Sequence, residues 1–315
     1  MNSAPGPAQA VADRGRGRLL VAAAAVFWST GGLLARSVDT DPWTTVFWRG
    51  LFCAAFLTAV TALRERRGTP GVFMAMGATG LGMAVCFATA STCFIMALHR
   101  TSVANVLIIQ SLSPFMAGLI GWAWMGERVA GRTWIAMGVA LLGSAIMLSR
   151  YFYAAPAAGS LSGDLLAFTV ALAFAVATVF LRRRRQIQML PAAALAALLT
   201  SVVAAVSARP ASAGAGDLVV LALFGACQLG LGMILFTAGA RSVPVAEASL
   251  IAVLESVLGP VWVWLALGEN PGLPSVLGGT IVLAALAGHT AADLGRERGV
   301  AAAQSGSRKR ASTGT

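Results

Sequence analysis

The chain has 315 residues, of which 57% are hydrophobic and 11% charged, with a mean hydropathy of +0.78. A soluble domain carries about 25% charged residues, so this composition excludes an ordinary globular enzyme and specifies an integral membrane protein, best counted in spans of about 20 residues. The formal charge of +11 falls in short basic clusters between apolar runs, which reads as topology signals and not as a nucleic-acid surface.

Residues 1–18, rich in Ala, Gly, Pro and Arg without apolar periodicity, are expected to form a mobile cytoplasmic tail. The first span covers 19–34. No small-residue cleavage site follows it and further spans do, so it is a retained membrane helix and not a secretory signal. Charged and Pro/Gly punctuation then marks spans at 43–63, 72–98, 103–125 and 134–148, a linker loop at 151–163, and spans at 164–181, 190–206, 218–240, 244–267 and 273–289. The expected fold class is an all-α polytopic membrane protein with ten transmembrane helices. Residues 293–315, dominated by Ala, Arg, Gly, Ser and Thr, read as a disordered tail.

With the N-terminus in the cytoplasm, most of the 23 basic residues lie on the inner side, among them Arg64, Arg66, Arg67, Arg128, Arg132 and the run 182–185. The outer segments hold Arg36, Arg100, Arg150 and Arg209. By the positive-inside rule both termini are cytoplasmic and the membrane is the inner, or plasma, membrane.

Laying Glu269 on Glu127 without gaps matches Trp264 with Trp122, Gly268 with Gly126 and Ile251 with Ile109, and sets Glu255 on Ser113. Ten spans divided after the fifth give two units, 19–150 and 164–292, and an odd number of helices inverts the second. Inverted repeats around a midplane site are the signature of alternating access.

Glu255 lies midway along the ninth span, where a charge costs roughly 2.5 to 3.5 kcal/mol on insertion scales and marks a functional site by default. It shares a small and polar stripe with Ser249, Ala252, Ser256 and Gly259, and the fourth span carries a matching stripe of Gln110, Ser113, Pro114, Ala117, Gly118 and Gly121. Close helix packing explains the small residues but not the carboxylate. Arg49 is the basic residue clearly within a span, and snorkelling to the outer interface is its structural alternative. Trp28, Ser29, Thr30 and Trp48 are candidates to line the same cavity, with lipid-facing or belt positions the alternative for the tryptophans. Trp43, Trp122, Trp124, Trp134, Trp262 and Trp264 lie nearer span ends and read as interfacial. Gln228 is a weaker polar candidate. Glu247 stands near the cytoplasmic face, where Arg241 is expected to neutralise it.

The four cysteines read as small hydrophobes, and His99 and His289 have no evident acidic or Cys partner, so neither a disulfide nor a metal site is expected. No GxxxxGK[ST], HExxH or GxSxG occurs, which argues against ATP drive and intramembrane catalysis, and no cofactor is assigned. The partners expected are a small-molecule substrate, membrane lipids and, for coupling, protons. The oligomeric state is left open.

The segment FWSTGG at 27–32, Trp48 and Arg49 within FWRG, the paired endings WAWMGE and WLALGE, and Leu254 with Glu255 together resemble an EamA-type permease of the drug/metabolite transporter superfamily. The resemblance covers 19 to about 292. It implies that the first four helices of each repeat surround a central cavity while the fifth packs outside, and that the protein moves small polar metabolites or drugs, often outward. Amino acids, nucleobases, vitamins and dyes all fall within that range, and a channel or a sensor is the remaining alternative. Permeases of this type often carry Pro directly after the Glu. This chain has Ser256 there and delays the proline to Pro260, so its helix break is expected about one turn lower. A cavity with Arg49 for a carboxylate or phosphate and Glu255 for an ammonium group or proton suits a zwitterionic amino acid.

Overall fold

The computed structural model describes residues 7–65, 69–101, 103–154, 161–183, 189–268 and 272–312. Arg66, Arg67, Arg184, Arg185 and Glu269, used in the charge pattern and the repeat alignment, lie outside them, as do the middle of the linker and the extreme ends of both tails. Among the described residues every regular element is helical. Nine helical stretches among the described residues are long and apolar enough to cross a membrane, and Leu190–Ala205 is a shorter apolar helix where the seventh span was expected.

The first span is α1 (Pro7–Ser29) and α2 (Gly31–Arg36), interrupted at Thr30; the second is α3 (Pro42–Glu65). Asp41 starts α3 from the loop. Its carboxylate accepts hydrogen bonds from the Trp43 and Thr44 N–H groups at 3.0 and 3.1 Å and from the Thr44 hydroxyl at 2.5 Å, an N-cap followed by proline at the first helical position. The third span is split at Met76 into α4 (Thr69–Ala75) and α5 (Gly77–Leu98), with Gly77 at φ +57°. The fourth is α6 (Val103–Gln110) and α7 (Ser113–Met125), and the fifth is α8 (Gly131–Ala154).

The second half continues as α9 (Leu161–Arg183), α10 (Leu190–Ala205), α11 (Ala215–Ala222), a π-helical stretch Leu223–Leu231, α12 (Gly232–Gly239), α13 (Val245–Ala252), α14 (Leu254–Leu267) and α15 (Gly272–Ser312). The two Trp-x-x-x-Gly-Glu endings have a local cause. Gly126 and Gly268 close α7 and α14 in the left-handed region, at φ +67° and +70°, where a side chain would be strained.

Both tail expectations are corrected over the described residues. The helix begins at Pro7 and α15 runs to Ser312, and the Ala and Arg residues spread through both stretches favour helix. The linker likewise narrows, since α8 extends to Ala154 and α9 starts at Leu161.

The largest core cluster joins α1, α3, α5, α9, α10, α12 and α13 around Leu57, Met83, Phe87, Met189 and Phe236. Rings of Trp28, Phe87, Phe174 and Phe236 stack edge-on or tilted, with centroids 5.1 to 6.3 Å apart. The helices α8 and α15 pack along each other through Gly143 and Gly278, where a Cβ on Gly278 would collide with the Gly143 carbonyl and the Met147 backbone. Trp122, Trp124 and Trp264 are exposed, in keeping with interfacial positions.

Candidate substrate site

Two interrupted helices build the site. Between α6 and α7 the backbone tightens: the N–H of Ser111 bonds the Leu107 and Ile108 carbonyls, and that of Leu112 bonds Ile109. Between α13 and α14 it does the same, with the Val253 N–H on Leu250 and the Ser256 N–H on Val253. In the gap-free repeat alignment Val253 falls on Ser111, so the second break is not displaced by a turn. The late proline does not move it, because local i→i+3 bonds and the Ser256 hydroxyl, which donates to the Val253 carbonyl at 2.7 Å, set it instead.

The prolines act on the next turn. Pro114 has no N–H to close on the Gln110 carbonyl four residues back, and Pro260 has none to close on Ser256. Each half thus withholds the usual helical bond from one carbonyl beside its break.

Gln110, Ser113, Glu255 and Ser256 come together around one narrow cavity of about 20 Å³, completed by Leu107, Ser111, Phe174, Ala252 and Val253. Gln110 Nε2 donates to Glu255 Oε1 at 2.8 Å, joining the two halves of the chain. With its amide nitrogen turned to the carboxylate, the buried Oε1 of Gln110 is left without a hydrogen-bond partner. Glu255 lies in the first turn of α14, where the helix dipole favours a negative charge. Away from the α14 start the cavity is rich in acceptors.

The other candidates stand elsewhere. Arg49 is 5% exposed; its Nη1 donates to Ser91 Oγ at 3.2 Å, its Nη2 to Gln228 Oε1 at 3.3 Å, and its guanidinium sits 4.7 Å above the Phe224 ring. It does not line the Glu255 cavity, and among the described residues it has no carboxylate within 4.0 Å, although each charge feels the field of the other. Its Nε has no partner. The snorkelling alternative does not describe it, since the head group is buried in the protein.

Trp28 lies one ring behind the cavity, against Phe174, and Ser29 accepts from Trp262 Nε1 at 2.7 Å, which draws Trp262 inward from its expected interfacial place. Thr30 donates to the Phe27 carbonyl at the break in the first span. Trp48 stacks on Phe52 and donates to the Pro210 carbonyl. None of these four is among the cavity's lining residues.

Residues 15–149 and 161–290 match the model of the EamA-like transporter family. The chain belongs to that family. This EamA-like protein is therefore a membrane transporter of the drug/metabolite transporter superfamily. A crystal structure 17% identical in sequence superposes with a TM-score of 0.71 and covers 87% of this chain and 96% of that one, a likeness of fold. A comparison with curated proteins gave no match.

Sequence reasoning about this EamA-like chain gave Gln228 too little weight and missed three further features. Gln228, in the π-helical stretch, is the hub that accepts from Arg49 and donates to the Trp28 carbonyl at 2.9 Å; a π-bulge at a polar residue is a common mark of function. Glu127 accepts from the Val245 N–H at 3.4 Å and pairs with Arg182, tying the first Gly-Glu ending to the start of α13. Glu247 is neutralised not by Arg241 but by Arg18, 229 residues away. His289, read as lacking an acidic partner, lies within reach of Asp293 and Glu247; its spacing of four residues from Asp293 was the available signal.

Proposed function

We propose that this protein is a ten-helix transporter built as two inverted five-helix repeats, with both termini in the cytoplasm, that moves a small polar metabolite of the amino acid class outward across the inner membrane by alternating access. The observation that carries the reading is the polar cavity between the breaks: the Glu255 carboxylate and the Gln110 amide, whose Oε1 is orphaned, meet where the two halves join. Such a set receives an ammonium group or a proton, and helix breaks at aligned positions of two halves are how inverted-repeat transporters build a midplane site. Arg49, with a free Nε, is the second anchor, for a carboxylate or phosphate.

Alternating access is supported by the way the broken helices pack. On the cytoplasmic side α7 and α13 lie together: Val245 packs in one apolar cluster with Ala117, Ile120 and Met125, and Gly118 and Gly121 stand opposite Ala246 and Val245 at a spacing a methyl group would fill. On the other side α6 packs on α8 and α9, while α14 packs on α1, α2 and α15. The broken spans thus meet along α7 and α13, while α6 and α14 pack on other helices, an asymmetry that supports the reading of an outward-facing state.

The test is a screen of amino acids, amines and their decarboxylated or esterified analogues on proteoliposomes, with Glu255→Gln alongside. An amine-bearing substrate is expected to be transported by the parent and at least about tenfold less by the variant, a loss of about 1.4 kcal/mol in transition-state stabilisation. Equal fluxes at equal protein incorporation contradict the assignment.

A further inference from the structure

Four helices bring charge to one buried point at the end of the molecule that α7 and α13 close. Arg18 of α1 donates through Nε to Glu247 Oε1 of α13 at 2.6 Å, and its Nη2 lies 3.4 Å from Asp293 Oδ2 of α15. Arg132 of α8 reaches the other oxygen of Asp293 at 2.5 Å. His289, one turn before Asp293, sets its Nε2 3.8 Å from the same carboxylate, and neither ring nitrogen is hydrogen-bonded. Arg18 is 5% exposed and Glu247 3%.

Glu247, His289 and Asp293 present ligand atoms within 4.8 Å of one another, a donor set that suits a divalent cation. The charge balance argues otherwise. Two guanidiniums already balance the two carboxylates, and an added dication would leave two uncompensated positive charges in a buried place. The cluster is an ion-pair node.

A buried node of this kind stabilises little, because desolvation of the charges offsets most of the attraction, but breaking it by removal of one partner is costly. It therefore suits a two-state device better than a permanent staple. Its location fits that use. Glu247 is the residue after Ala246, and Val245 and Ala246 are the α13 side chains that stand opposite Gly121 and Gly118 of α7, Val245 packing with Ala117. Any opening of the cytoplasmic side moves α13 away from α7 and carries Glu247 with it. An adjoining pocket of about 160 Å³, lined in part by Arg128, Glu127 and the three paired residues Arg132, Glu247 and Asp293, admits water to charges released by that motion.

We infer that the network Arg18–Glu247, Arg18–Asp293 and Arg132–Asp293 is the latch that holds the cytoplasmic side shut, and that the fifth helix of each half, α8 and α15, is part of the gate and not a passive rim. The inference rests on the alternating-access reading but not on the identity of the cargo.

The experiment uses the full chain with Cys53, Cys86, Cys93 and Cys227 replaced by Ala and Ser113→Cys as a reporter in the cavity wall. The rate of its modification by a membrane-impermeant thiol reagent is followed in inside-out and right-side-out vesicles. Glu247→Gln and Arg132→Gln are expected to raise the rate from the cytoplasmic face about tenfold, within the range of ordinary coupling energies. Glu247→Asp, which keeps the charge, stays within about twofold of the parent. Arg132, at the partly exposed rim of the node, keeps the test open where Glu247→Gln does not fold. Unchanged rates in a monodisperse Arg132→Gln protein, or equal increases from both faces, overturn the latch. No substrate is present, so a failed metabolite screen with a positive labelling result removes the cargo assignment and leaves the latch standing.

Discussion

At the scale of single residues, Glu255 is explained by what surrounds it. A carboxylate in an apolar span is tolerated because the Gln110 amide donates to it and a half-helix starts beneath it. Gln110→Leu, which removes the donor and the orphaned acceptor together, is expected to weaken binding of an amine substrate about tenfold or more while leaving expression near parent levels, read by equilibrium binding in detergent. Arg49 makes a different prediction. Arg49→Ala strips a donor from Ser91 and Gln228 and should cost about 1–3 kcal/mol of stability for groups left unpaired in a buried place, seen as a lower Tm. If Arg49 also holds the cargo's carboxylate, Arg49→Lys will weaken an amino acid more than the corresponding amine; equal weakening of both assigns Arg49 to structure alone. Asp41 carries a pH dependence. Burial pushes its carboxyl up, but the Thr44 hydroxyl, the Thr44 and Trp43 N–H groups and Arg209 together outweigh it and hold the carboxyl below the usual carboxylate value. A depressed folded-state pKa means the cap contributes fully above the unfolded value, about pH 4, and is lost as pH falls through the depressed one. Asp41→Ala should lower the Tm at pH 7 by removing a cap of about 1 kcal/mol, and the difference from parent should shrink on acidification below pH 4.

At the scale of elements, hydrophobicity and punctuation were enough to place nine long apolar helices among the described residues, with a shorter one, Leu190–Ala205, where the seventh span was expected, and the glycines of the two Gly-Glu endings were legible as a repeat before their left-handed caps were seen. The breaks were less so. Pro114 announces the first, but the second arises from tightened backbone bonds and a Ser256 hydroxyl, and its proline lies beyond it; no composition signal separates such a break from a continuous helix. The buried node was hidden for another reason. Only His289 and Asp293 are near in sequence, and Arg18, Arg132 and Glu247 meet them through tertiary packing alone. The helices α8 and α15 supply a test of that packing. Gly278→Ala would drive a Cβ into the Gly143 carbonyl and Met147 backbone, so it should destabilise by about 1–3 kcal/mol, the range for overpacking. Gly288→Ala on the same helix has open space and should be neutral or slightly stabilising through helix propensity. Thermal melts of the two variants in the same detergent check the contrast, and equal behaviour would mean that α8 and α15 do not approach as closely as described.

At the scale of the whole molecule, the account joins three observations: a cavity where the broken helices of the two halves meet, a closed contact between α7 and α13 to one side of it, and a charge node behind that contact. Membership of the EamA-like family establishes a transporter; the asymmetry of residues between the halves, with Glu255 opposite Ser113, supports the proposal that the second half anchors the cargo. The most direct measurement is calorimetric binding of the transported amine to purified protein, comparing the parent with Glu255→Gln and with Gly288→Ala as a control outside the site. The account predicts at least about tenfold weaker binding for Glu255→Gln and unchanged binding for the control. The same Kd in all three proteins would contradict it.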